Sequence, residues 1–185
     1  MEAYRAGQRL FGENRPQELF AKVPLMPPDT RWHFIGHLQT NKLKMVLPYV
    51  VMVQSVDSVH LLQSINSWCL SAGKVMDVLL ELHLGAEQTK HGLTEAGIRE
   101  ILSDEWPGVR FRGLMGMATN TDDQDVVRAD FRRISALFRA LREDYPGLEA
   151  FDQLSIGMSG DWRLAVAEGS TIVRIGTSIF GEREY

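Results

Sequence analysis

The chain alternates short apolar runs with helical segments, and this alternation constrains its fold more than any other feature of the sequence. Residues 75–82 form the most apolar run, and residues 122–144 carry apolar side chains at near-helical spacing over the longest predicted helix. Such alternation is typical of parallel strands joined by helical crossover connections. The seven strands predicted in this way cover residues 9–11, 32–35, 50–54, 75–82, 110–115, 151–154 and 171–175.

A closed barrel and an open doubly wound sheet both contain this alternation. No predicted strand is followed by the G-x-G-x-x-G pattern of dinucleotide-binding folds. A closed barrel of this type needs eight strands, and the chain begins with a helical stretch, residues 1–6, that Gly7 ends. We therefore expect an α/β fold, a TIM-type (β/α)8 barrel that lacks its first strand and most of its first helix, with residues 1–185 forming one domain.

The composition gives no indication that the protein binds nucleic acid or a membrane. The net charge of −4 comes from interspersed charges, so it does not indicate a nucleic-acid or membrane surface. No apolar run is long enough to cross a bilayer, and the first residues do not read as a signal peptide. The single cysteine, Cys69, excludes an internal disulfide, and we expect a buried, inert thiol in a reducing compartment. These features predict a cytoplasmic protein.

The segments after the last two predicted strands, residues 155–160 and 176–178, are rich in glycine, serine and threonine. In a parallel barrel they gather at the carboxyl end of the strands, where phosphates are commonly bound by backbone N–H groups and hydroxyls. The pattern predicts a phosphate or other anion site here. Turn and capping requirements alone also favour such residues, and for the other strand ends this explanation is preferred.

Arg174 lies inside the last predicted strand, between two apolar residues that face the opposite side. A buried arginine needs an acceptor, so it either serves a ligand or pairs with an internal carboxylate, and the pattern alone does not separate these alternatives. His33 lies in a strand and is expected to be a core histidine. His37, His83 and His91 have no carboxylate or cysteine at ligand spacing, so no metal site is expected.

Five motifs occur in order along almost the whole chain. They are FGEN at 11–14, WHFIG at 32–36 with LQ at 38–39 and NK at 41–42, GLM at 113–115, SIGMS at 155–159, and GST at 169–171 with VRIGT at 173–177 and IFG at 179–181. Together they closely resemble the YggS-like pyridoxal phosphate homeostasis proteins. The sequence departs from what relatives often carry at His37, at His83 and at Gly160, and only His83 puts a polar contact in doubt.

The resemblance implies a barrel of the alanine racemase N-terminal type that holds pyridoxal 5'-phosphate (PLP). It also implies that Arg174 faces the pyridine nitrogen, that two residues flank the ring and that the others hold or approach the phosphate. The cofactor-binding residues implied are Asn14, Ser55, Ser155, Met158, Ser159, Arg174, Gly176 and Thr177.

The lysine that forms a Schiff base with PLP in this family belongs to the first strand, which we expect to be missing from this sequence. None of the lysines present, at positions 22, 42, 44, 74 and 90, lies inside a predicted strand. Lys90 alone lies in a long loop after a strand, and a solvated surface lysine is the preferred interpretation for it. We therefore expect weak, non-covalent binding of the cofactor.

The resemblance implies a non-enzymatic protein that takes part in PLP homeostasis by holding PLP or delivering it to PLP-dependent apoenzymes, as a monomer or weak dimer. One alternative is an amino-acid racemase, but racemases of this fold use a tyrosine from an added β domain, and Tyr4, Tyr49, Tyr145 and Tyr185 do not match that context. Another alternative is a barrel enzyme acting on a sugar or indole phosphate, which usually needs acids and lysines on its strands.

Overall fold

A computed structural model describes residues 1–85 and 92–182. The chain divides into two compact units: one comprises Met1–Leu79 with Glu105–Arg110, and the other Leu80–Asp104 with Phe111–Tyr185. We call them the first and the second unit. Within the described residues there are seven strands, β1 Leu10–Glu13, β2 Arg31–Phe34, β3 Met52–Val56, β4 Met76–Leu82, β5 Val109–Gly116, β6 Gln153–Met158 and β7 Ile172–Arg174.

All seven predicted strands are confirmed, and their order in the sheet follows their order in the chain. Strands β1, β2 and β3 pair in parallel in the first unit, with Gly12 opposite His33 and Phe34 opposite Val53. Strands β5, β6 and β7 pair in parallel in the second unit, with an irregularity between Ser155 and Met158. The parallel pairing places the carboxyl ends of successive strands at the same edge.

The helices of the described residues follow the strands in regular alternation. They are α1 Glu2–Arg5, α2 Pro16–Lys22, α3 Leu43–Val46, α4 Val59–Ser71, α5 Glu95–Ser103, α6 Gln124–Asp144, α7 Trp162–Ala167 and α8 Thr177–Phe180. Short 3-10 turns cover Val23–Leu25, directly after α2, and Thr40–Lys42, directly before α3. No helix within these ranges is both long and apolar enough to span a membrane.

Local sequence explains where the helices of the first unit begin. Pro16 occupies the first turn of α2, where its missing N–H is not needed. The Ser58 hydroxyl accepts a hydrogen bond from the Leu61 N–H and caps α4. Helix α4 buries an apolar face that includes Ile65 and Cys69. The prediction of a buried cysteine is confirmed, and burial raises the pKa of the Cys69 thiol.

The second unit is built around α6, whose apolar face includes Phe131 and Phe138. Phe138 stacks on Phe151 with ring centroids 5.5 Å apart. The sequence predicts that Asp161 caps α7, and this is wrong for its side chain. The Asp161 carboxylate makes no cap bond, because its Oδ1 instead accepts the N–H of Met158 at 2.6 Å.

Candidate functional site

In the second unit, Arg174 is held by oxygen atoms of two strands, from Gly116 at the end of β5 and from Ser155 within β6. Its Nη1 donates to the carbonyl oxygen of Ser155 at 2.8 Å and to the Ser155 hydroxyl at 2.7 Å, and its Nη2 donates to the carbonyl oxygen of Gly116 at 3.0 Å. Ser155 has no exposed surface. Three neutral acceptors on β5 and β6 therefore fix the orientation of the guanidinium group.

The positive charge of Arg174 has no carboxylate at hydrogen-bond distance among the described residues. Burial lowers the pKa of Arg174 to about 10, while the negative charges of Glu81 and Asp161 oppose this shift. The group stays protonated at neutral pH. Of the two alternatives that the sequence leaves open, no directly paired carboxylate is found within residues 1–85 and 92–182, and the arrangement suits an acceptor supplied by a ligand.

Two backbone N–H groups converge on a single oxygen atom beside Arg174. The Ser159 hydroxyl oxygen accepts from the N–H of Gly176 at 3.2 Å and from the N–H of Ser178 at 3.3 Å. Met158 pairs with Arg174 across β6 and β7, and Thr177 is the first residue of α8. Converging N–H groups and hydroxyls are the donors that bind a phosphate oxygen, so the donor set here fits the phosphate of PLP.

The structure brings together the six residues predicted in the second unit, all within or directly after β6 and β7: Ser155, Met158, Ser159, Arg174, Gly176 and Thr177. Gly116, whose carbonyl oxygen holds Arg174, was not predicted. A backbone acceptor of this kind leaves no side-chain signal in a sequence.

In the first unit, Gly36 connects the two residues predicted to flank the cofactor ring. The Ser55 hydroxyl donates to the carbonyl oxygen of Gly36. A Cβ atom added at Gly36 would lie 2.2 Å from the carbonyl oxygen of Asn14, so only glycine permits this close approach. Asn14 and Ser55 thus both lie against Gly36, at the carboxyl ends of β1 and β3.

Two carboxylates of the first unit were not predicted as site residues. Glu13 is buried at the end of β1; its Oε1 accepts from Lys22, and its Oε2 has no hydrogen-bond partner among the described residues. Asp57 follows β3 and accepts from the Nδ1 of His37 at 2.8 Å. Each lies at the end of a strand or directly after it. This position in the sequence was the signal by which the two carboxylates could have been predicted as site residues.

No group of three metal-binding side chains occurs in residues 1–85 and 92–182. Lys90 and His91 lie outside the described residues. Among the described lysines, Lys22 bonds to Glu13 and Glu18. Burial alone would lower the Lys22 pKa, but these two hydrogen bonds raise it above its usual value.

Comparison with known proteins gives the family. A family model described as alanine racemase, N-terminal domain, matches residues 1–184. A pyridoxal phosphate homeostasis protein of Aquifex aeolicus is 40% identical over 187 residues, which cover 100% of this chain and 81% of that protein. The human protein of the same name is 38% identical over 201 residues, with 72% of its length covered. The chain belongs to the pyridoxal phosphate homeostasis protein family.

Solved structures of similar proteins agree with the fold described above. PipY of Synechococcus elongatus, solved with PLP bound, superposes with a TM-score of 0.90 at 36% identity, covering 97% of this chain and 85% of PipY. Alanine racemase of Bartonella henselae superposes with a TM-score of 0.69 at 13% identity over 98% of this chain and 50% of that one, which shows a shared fold alone. The prediction of a barrel of the alanine racemase N-terminal type is confirmed.

Proposed function

We propose that this protein binds PLP and serves PLP homeostasis by holding the cofactor and delivering it, without turnover of its own. The observation that carries this proposal is Arg174, a charged group fixed by the Ser155 and Gly116 oxygens and left without a directly bonded carboxylate in the described chain. The names of the relatives and the PLP bound by PipY give it independent support.

Each group has a role in this proposal. Arg174 faces the pyridine nitrogen, and a cation there disfavours protonation of that nitrogen. PLP, when bound, supplies an electron-accepting ring, which is weaker when its nitrogen is unprotonated. Gly176, Thr177 and Ser159 hold the phosphate, with Met158 beside them.

Ser155 contributes through Arg174, since its hydroxyl accepts from the guanidinium group. Asn14 and Ser55 flank the ring, as the resemblance implies. This set suits a holder of the cofactor better than a broad catalyst, because no described acid or base other than Arg174 is among these residues.

We further propose that residues 1–185 act as one PLP-binding domain, in the cytoplasm, as a monomer or weak dimer. The recipients of the cofactor are PLP-dependent apoenzymes. Transfer is tested with the PLP-loaded protein and an apoenzyme in two arrangements, mixed directly or separated by a dialysis membrane. In each arrangement the recovery of the apoenzyme's activity is followed over time. Faster recovery in direct mixture is expected, whereas equal rates would indicate simple release of free PLP.

The binding proposal is tested by adding PLP and recording the absorbance spectrum, followed by borohydride reduction and mass measurement. We expect a saturable change in the spectrum and no covalent adduct after reduction, since none of the described lysines lies inside a strand. A stable adduct on one lysine, Lys90 for example, would overturn the non-covalent part of the proposal. Robust alanine racemase turnover would overturn the homeostasis function in favour of an enzyme.

A further inference from the structure

An open cleft of about 380 Å³ lies in the first unit, at the amino ends of β2, β3, β4 and β5. We call it the amino-end cleft. Its volume falls in the range of small-molecule sites, about 300 to 1,000 Å³. The two residues of this unit that are proposed to flank the cofactor ring, Asn14 and Ser55, belong to the opposite, carboxyl ends of β1 and β3. The cleft is therefore separate from that part of the proposed cofactor site.

Three cationic side chains line the amino-end cleft. Arg31 is the first residue of β2, Lys74 precedes β4, and Arg110 is the second residue of β5. The only carboxylate among the described lining residues is that of Asp77. The lining thus has an excess of two positive charges, although the whole chain has a net charge of −4. Charges of one sign gathered in a cleft attract a ligand of the opposite sign.

The Asp77 carboxylate orients one of these cations and leaves most of its donors available. Asp77 Oδ1 accepts from the Nε of Arg110 at 2.6 Å, and the Asp77 side chain is 12% exposed while that of Arg110 is 58% exposed. This bond uses Nε, and the Nη1 and Nη2 of Arg110 donate to no other described residue. The exposed side chains of Arg31 and Lys74 form no hydrogen bond or ion pair with the described residues.

Backbone N–H groups at this end of the strands already have partners. The N–H of Arg31 donates to the carbonyl oxygen of Arg9 at 2.8 Å, and the N–H of Val51 donates to that of Trp32 at 2.9 Å. The donors that remain for a ligand are therefore side-chain donors, unlike the backbone donors beside Arg174. Arginine and lysine form short, charge-assisted hydrogen bonds with carboxylates and phosphates.

The rest of the described lining is apolar. It consists of Leu47, Pro48, Val50, Val51, Val75 and Met76. Val50 and Met76 are buried, whereas Val51 and Val75 are exposed. An apolar group on a bound ligand would remove the two exposed valines from water, which favours binding. The cleft thus suits an anion that carries an apolar group.

We propose that the amino-end cleft is a binding site for a small phosphomonoester with an apolar body. A phosphomonoester carries close to two negative charges at neutral pH and has three acceptor oxygens, which matches the excess charge and the number of the cations. A carboxylate offers one charge and two oxygens. The phosphate accepts from Arg31, Lys74 and Arg110, and the apolar body covers Val51 and Val75. The inference does not rest on the proposed cofactor function.

The experiment records the backbone amide signals of the full chain by NMR while probes are added at about pH 8, well above the second pKa of a phosphomonoester, about 6. The probes share a phenyl ring and differ in charge: phenyl phosphate, phenyl sulfate and benzyl alcohol. We expect phenyl phosphate to shift the Val51 and Val75 signals saturably. Phenyl sulfate, with one charge fewer, should bind about tenfold more weakly, and benzyl alcohol should produce no saturable shift.

Variants identify the cations that bind the probe. Arg31→Gln and Lys74→Gln each remove an exposed cation without a described partner, so the fold stays intact and phenyl phosphate binding at Val51 and Val75 weakens about tenfold. Lys44→Gln is the matched control, because Lys44 is an exposed lysine on α3 in the same unit and does not line the cleft. It should retain the wild-type affinity.

The amide signals of Gly176 and Ser178 report separately on the proposed cofactor site. The absence of a saturable shift at Val51 and Val75 would overturn the proposal, as would equal affinities for phenyl phosphate and benzyl alcohol. Equal affinity of Arg31→Gln and the wild type for phenyl phosphate would also overturn it. A saturable shift at Gly176 and Ser178 alone would refute binding in the amino-end cleft and leave the proposed cofactor function intact.

Discussion

Two buried serines, Ser55 in β3 and Ser155 in β6, make different kinds of hydrogen bond in the two units. Ser55 is 1% exposed and Ser155 is 0% exposed. The Ser55 hydroxyl donates to a neutral carbonyl oxygen and so fixes a backbone segment. The Ser155 hydroxyl accepts from Arg174 and so fixes a charge. The first unit thus positions its residues by close backbone packing, and the second by charge-assisted hydrogen bonds.

The type of a residue at a predicted site therefore does not by itself indicate what its side chain does. Both serines were predicted as cofactor-binding residues at strand ends, yet each acts on a different neighbour in the structure. The first arrangement depends on Gly36, where no larger residue fits, and the second depends on Arg174. Changes at these positions should therefore have unlike consequences.

The largest effect is expected from a methyl group at Gly36. In Gly36→Ala the new Cβ would lie 2.2 Å from the Asn14 carbonyl oxygen, which forces the backbone apart and should cost about 3 kcal/mol in the free energy of unfolding. The matched control is Gly176→Ala, because a Cβ at Gly176 has nothing within 4 Å and should change stability by less than about 0.5 kcal/mol. Urea unfolding measures the free energy of unfolding of both variants. Equal losses of stability would show that close backbone packing at Gly36 does not distinguish the first unit from the second.

A smaller effect is expected from the two serines themselves. Ser155→Ala removes an acceptor of a charged donor and should cost about 2 kcal/mol, whereas Ser55→Ala removes a neutral bond and should cost about 1 kcal/mol. The Ser155 change should also weaken PLP binding, since Arg174 loses one of its three anchors. A larger stability loss in Ser55→Ala than in Ser155→Ala would show that charge does not distinguish the two sites.

The smallest effect is expected at Lys22, which anchors the buried Glu13 beside Asn14. Because the Lys22 pKa is raised in the folded protein, its contribution to stability is full below the usual lysine pKa and is lost as the pH rises through the higher folded value. Lys22 is half-exposed, so solvent screening limits the contribution to about 0.5 kcal/mol. Unfolding of the wild type and of Lys22→Gln is compared at about pH 8 and about pH 11.5.

We expect the difference between the wild type and Lys22→Gln to be present at the lower pH and to shrink at the higher one. A difference that stays constant across this range would mean that the Lys22 side chain acts through packing of its methylene groups and not through its charge.

The sequence was sufficient to predict the seven strands, because each apolar run is bounded by turn residues and followed by a helical period. The grouping of Ser159 with Gly176 also followed from parallel topology, which gathers strand ends. The three oxygen atoms that bond to Arg174 could not be predicted, because two of them are backbone oxygens that any residue supplies. The His37–Asp57 pair was missed because its two members follow different strands and meet only in the folded chain.

The central claim, that Arg174 is prepared for a bound PLP, is tested most directly by calorimetric titration of the wild type and of Arg174→Gln with PLP. We expect one saturable site in the wild type and at least tenfold weaker binding in the variant, a change of about 1.4 kcal/mol. Circular dichroism of the variant before the titration establishes that it is folded. Equal affinity of the two folded proteins for PLP would mean that Arg174 does not contribute to binding of the cofactor.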